Sequence, residues 1–205
     1  MAISYPLTLP SHTGIAQIEL RAINAVAYSM SPFTFAGQAH SYAGQMWEAD
    51  IVLPRMKRAD ANKWISFLIS LRGQTGTFLL GDPSSTSPQG LASDFLGTPI
   101  ITNQTGSTIS VTGASASKTN WLLAGDYIQI GSASTATLHQ VLQDATTSAA
   151  GAVDLEIWPA VRGTRSGSII VQNTVGNFRL SSNQQAWSVD EATIYGITFG
   201  AREAI

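Results

Sequence analysis

The chain has 205 residues, 44% of them hydrophobic and 12% charged, with a formal net charge of −2 and no cysteine. That is room for one large domain or two small ones with an ordinary apolar core. It excludes disulfides, thiolate metal sites and cysteine nucleophiles, and the net charge offers no case for nucleic-acid binding by a basic face. The charged fraction is about half of the roughly 25% usual for soluble domains, so the surface is either neutral and polar or largely hidden in an assembly. The amino terminus lacks a basic segment followed by an apolar run, and no stretch approaches the ~18 apolar residues of a membrane span. The chain is expected to start life soluble in the cytoplasm.

In chain order, residues 1–14 are extended, broken by Pro6, Pro10 and Gly14. Residues 15–28 carry both a helical and an alternating pattern, and the strand is preferred because it would pair with the next one. Residues 29–46 read as a loop, with Pro32, Gly37 and Gly44 as breakers and Phe33, Phe35 and Tyr42 as aromatic interruptions. This loop is expected to be either a docking arm or a core flap. Trp47 to Leu53 alternate as a half-buried strand. Over residues 59–71, Ala61, Trp64, Ile65, Leu68 and Leu71 share one helical face, widened by Phe67 and Ile69, so little free surface is expected. Asp60 suits the first turn, and Gly73 is the expected left-handed cap. Residues 76–82 form a short apolar strand closed by Pro83.

A Ser/Pro/Gly-rich stretch after Pro83 marks a boundary. Short strands follow at 100–102, 108–111, 127–130, 138–142 and 153–157, which predicts a small β-barrel or sandwich. Strands at 169–171, 177–180, 186–189 and 193–199 are expected to complete the sheet begun before Pro83. The expected fold is mainly β (α+β): a sheet-and-one-helix hub at 1–95 and 168–205, interrupted by a small β domain at 96–167.

The search for chemistry comes back nearly empty. No nucleophile elbow, phosphate loop, dinucleotide fingerprint or zinc-protease helix occurs. His12, His40 and His139 lie in separate segments without ligand spacing. No enzyme activity, cofactor or metal is therefore expected. Glu48 and Asp50 share a strand face and are a glycosidase pair only as an outside reading; solubility or an intersubunit contact is preferred. Asp190 and Glu191 read as a turn. The cations Arg55, Lys57, Arg58 and Lys63 are either a solvated helix start or partners for a neighbouring subunit's carboxylates. Trp121, Tyr127 and Trp158 form a candidate glycan-stacking platform, with core packing as the favoured alternative.

Three stretches carry a resemblance: W-E-A-D-I-V-L-P at 47–54, M-K-R-A-D-A-N-K-W-I-S-F-L at 56–68, and L-R-G-Q-T-G-T-F-L-L-G-D-P at 71–83. With A-G-D-Y-I-Q-I at 124–130 and W-S-V-D-E-A-T-I-Y-G-I-T-F at 187–199, they are spread in the same order between residues 47 and 199. The sequence resembles the distal tail and minor tail proteins of long-tailed, non-contractile phages. The resemblance implies a tail-tube-like hub that forms a homo-oligomeric ring, six-fold or else three-fold, at the virion tail tip. Its implied neighbours are the tail tube protein, the tape measure protein and a tip hub or central fibre protein, with DNA only in transit and no membrane insertion. Phe33, Phe35, Tyr42, Arg55, Lys57 and Arg58 are the candidate intersubunit contacts. Two features depart from the family pattern: the extra β domain interrupts the hub instead of following it, and Lys57 stands where a Thr commonly opens the helix, although lysine is a poor N-cap.

Overall fold

The computed structural model describes residues 3–11, 14–191 and 193–205. The chain is mainly β, with one α-helix among the described residues. One sheet holds β1 (Gln17–Met30), β2 (Gly37–Val52), β11 (Ile194–Glu203), β9 (Gly176–Leu180) and β4 (Thr77–Leu80) in that spatial order. β3 (Met56–Lys57) and β10 (Trp187–Val189) pair with the first part of β11. The free edge of β4 is capped by the amino-terminal segment, where Leu7 exchanges backbone hydrogen bonds with Thr77 and Leu79.

The helix α1 (Arg58–Ser70) packs on this sheet because its Ala61, Trp64, Phe67 and Leu68 recur at helical spacing and are buried. They meet Ile51, Phe78, Phe178 and Phe199 in one core. Aromatic edges tie the layers: Trp64 to Phe67 at 5.8 Å, Phe67 to Phe78 at 5.6 Å and Phe78 to Phe199 at 6.3 Å. Ile69 does not widen the stripe, since it is exposed. The helix therefore keeps a free face. Its start has no side-chain cap, because β3 runs straight into it through Lys57. At its end Arg72 and Gly73 are both left-handed, so the non-glycine residue takes the position expected of Gly73.

The second sheet orders β5 (Gly97–Ala114), β8 (Val153–Ile170), β6 (Tyr127–Ile130) and β7 (Thr137–Val141). The first half of β8 pairs with β7 and its last residues with β6. The sheet thereby curls into a half-barrel around Ile101, Ile109, Trp121, Ile128 and Leu155. The two short strands expected at 100–102 and 108–111 are one long strand with register shifts. Ile169 and Val171 belong to this second core and do not complete the first sheet, because β8 is continuous through residue 167.

Two buried carboxylates help join the parts. Asp126 is buried and accepts three backbone N–H bonds, from Gln89 (2.7 Å), Gly90 (3.1 Å) and Leu123 (2.8 Å). It pins the connecting segment to the half-barrel. Arg162 of β8 donates to Glu203 of β11 at 2.9 and 2.8 Å, with the Glu203 side chain only 2% exposed. This ion pair ties the half-barrel to the end of the hub sheet.

Candidate functional site

The segment expected as a loop at 29–46 is a hairpin arm. β1 and β2 pair from Gln17 opposite Val52 out to Met30 opposite Gly37, with one register shift after Asn24. Only residues 31–36 form the turn, closed by Ser31 N–H to Ala36 O and Phe35 N–H to Ser31 O, both 2.9 Å. The reading as a loop fails because glycine at 37 and 44 is compatible with a two-stranded ribbon that buries neither face. The exposed Tyr28 ring lies over Gly37, and a side chain there would have to displace it.

β11 pairs with β2 only from Glu48 to Val52. β11 leaves the ribbon at Glu48, and from residue 22 to 44 every residue except Ser31 is exposed. Phe33 is 92% and Phe35 72% exposed, and Val26, Tyr28, Met30 and Tyr42 are exposed with them. No Asp, Glu, Lys or Arg occurs between Arg21 and Glu48. Isolated ribbons are marginal in water, and natural edge strands are guarded by charge or proline. This one carries a single Pro, at its turn.

The root of the arm is held. Asn24 and Gln45 face each other at the last regular pair. Asn24 accepts from the Trp158 indole N–H at 2.7 Å, and Gln45 accepts from the Ala160 N–H at 2.7 Å. Arg162 also donates to the Gln45 carbonyl. The half-barrel thus grips the arm where it leaves the hub.

Of the candidate contacts, Phe33 and Phe35 lie in the turn of the arm and Tyr42 lies farther back on β2. Arg55, Lys57 and Arg58 lie apart from them at the start of α1, all exposed. Arg55 faces Asp190 of its own chain at 3.8 Å, and Lys63 faces Asp60 at 3.3 Å. Asp190 and Glu191 do sit in the β10–β11 turn, with Asp190 accepting from Ile194 N–H at 2.8 Å.

The candidate glycan residues do not form a platform. Trp121 is fully buried and donates to Phe95 O at 2.9 Å. Tyr127 and Trp158 pack instead around Trp47, with ring centroids 6.1 and 4.5 Å away. Glu48 and Asp50 share the outer sheet face, as alternation requires, but both approach Arg21, at 3.9 and 2.5 Å. A carboxylate pair bridged by a guanidinium is poorly suited to divide acid and base roles.

His40 stacks edge-on with Tyr42 at 4.8 Å on the arm; His12 lies outside the described residues. His139 is buried, with Nδ1 2.6 Å from Pro159 O and Nε2 2.9 Å from the Thr137 hydroxyl. Burial pushes its pKa below the ordinary histidine value, and the carbonyl partner places the proton on Nδ1. Among the described residues no group of three His, Cys, Asp or Glu is placed to hold a metal. No helix of the described chain is long and apolar enough to cross a membrane. The sequence matches no family model and no curated protein.

Proposed function

We propose that this chain is a non-enzymatic structural protein of a phage tail tip. It forms a homo-oligomeric ring, six-fold or three-fold, between the tail tube and the receptor-binding tip, and it leaves a channel through which DNA passes. The supporting observation is the arm, a long ribbon with exposed aromatics and no charge, which invites burial against another protein. The low overall charge and the resemblance in the hub stretches point the same way. In this reading the arm reaches a neighbouring subunit or the tube, and main-chain pairing with apolar contact holds the ring. Tail tube, tape measure and tip hub or central fibre proteins are its further partners.

The test is the mass in solution by light scattering, with negative-stain images of the same peak. Rings with an open centre are the expected result. Replacing residues 25–44 with Asn-Gly, a tight hairpin turn that preserves the pairing below it, is expected to leave a folded chain that forms no ring. An unchanged ring in that variant removes the arm from the assembly.

A further inference from the structure

The outer face of the hub sheet carries a groove that none of the described residues fills. Two adjoining hollows of about 350 and 440 Å³ run along β11, sharing Val52, Ala186 and Thr198. The floor is the outward side of β11: Gly196, Thr198 and Gly200, alternating with the buried Ile197, Phe199 and Ala201. Small residues at three successive outward positions leave a shallow floor that another backbone can approach closely. A Cβ at Gly196 would meet Ser188 Oγ, and one at Gly200 would meet Ser181 Oγ, so the chain's own serines reach over both positions and leave no room for a side chain there. One wall is Val52 of β2, and the other is the segment from Gln184 to Trp187; both Val52 and Trp187 are exposed. Charges stand only at the two ends, with Asp50 engaged by Arg21 and Arg55 near Asp190.

Arm and groove match in character and are opposed in position. Both are uncharged along their length and both expose apolar side chains. The arm leaves the sheet beyond Glu48, while the groove opens beside Val52 and runs on toward Arg55, at the other end of the same strand. At about 3.3 Å per residue, the stretch from Gly37 to Glu48 carries the arm tip roughly 35 Å away from its own groove. The two surfaces of one chain cannot meet, but those of two copies can. Such a contact joins different faces of identical chains, which is the kind of interface that closes into rings.

We propose that the groove along β11 is the seat for the β1–β2 arm of a second copy of this chain. The assignment rests on the ring reading above and names the receiving surface within it. Because the chain contains no cysteine, introduced thiols report on it cleanly. The double variant Phe33→Cys/Thr198→Cys, treated with a short bismaleimide, is expected to give a ladder of covalent multimers. The control Phe33→Cys/Thr112→Cys, whose second thiol lies on the outer side of β5, is expected to give none. Thr198→Arg places a charge on the groove floor without touching the core, and is expected to lower assembly at least tenfold with an unchanged melting temperature. If wild-type chains assemble while Thr198→Arg assembles equally well and the ladder is missing, the groove is overturned and the ring stands. If wild-type chains stay monomeric at the highest concentration and neither double variant cross-links, the groove and the self-assembling ring fall together.

Discussion

At the residue scale, three buried polar groups decide how the chain holds together. Asp126 accepts from three backbone N–H groups, those of Gln89, Gly90 and Leu123. Asp126→Ala leaves all three unsatisfied, and a loss of about 3 kcal/mol in urea unfolding is expected. Glu203 loses its counter-charge in Arg162→Met, which is expected to cost on the order of 3 kcal/mol. The double variant Arg162→Met/Glu203→Met should recover most of that, because two apolar side chains leave no charge behind. His139 gives a pH signature. Its folded pKa is depressed by burial, so below the ordinary value near 6.5 the unfolded chain binds a proton that the folded chain refuses. Stability is therefore full above that pH and is lost as pH falls through it. A His139→Gln variant that keeps the same slope of unfolding midpoint against pH would contradict this assignment.

At the scale of elements, the hub and the arm obey different rules. The helix and the inner sheet face exchange large apolar side chains, and Trp64 is at their centre. Trp64→Ala is expected to destabilise by about 3–5 kcal/mol, read by thermal or urea unfolding. The arm buries almost nothing within its own chain, so its removal should shift that unfolding little. It is oriented instead by its root, through Asn24, Gln45, Trp158 and Arg162. This gives the half-barrel a mechanical role, bracing the arm against the hub. Hydrogen exchange is the check: amides near Asn24 and Gln45 should be slowed relative to those near Met30 and Gly37, and Arg162→Met should narrow that difference.

At the scale of the molecule, the expected assembly is apolar and main-chain in character. Its mass should therefore change little between about 0.05 and 0.5 M salt, because screening acts on charges and the arm has none. Dissociation across that range would point to the exposed cations Arg55, Lys57 and Arg58 as the true contacts. Mass at two protein concentrations and two salt levels separates the cases.

Much of the hub was legible from the residues alone. Helical spacing placed α1 within one residue at each end, and alternation placed the start of β11, while β6, β7 and β9 were marked as short apolar runs between turn residues. The first two signals survive because the helix and β11 each bury one face against a core, and burial imposes its period on the sequence. The arm was not legible as a ribbon. With both faces in solvent it has no period to display, and its glycines and proline mimic a loop. The strand expected at 169–171 belongs to the other sheet for a different reason: β8 runs on through Gly163 and Gly167, which look like turns in the sequence. The groove was invisible, since Gly196, Thr198 and Gly200 signify nothing until Val52 and Trp187 are seen on either side. Local pattern determined the helix and the strands that bury a face. Only the tertiary structure decided what is left uncovered, because that depends on where one element ends relative to its neighbours, a relation between distant residues that no local pattern records.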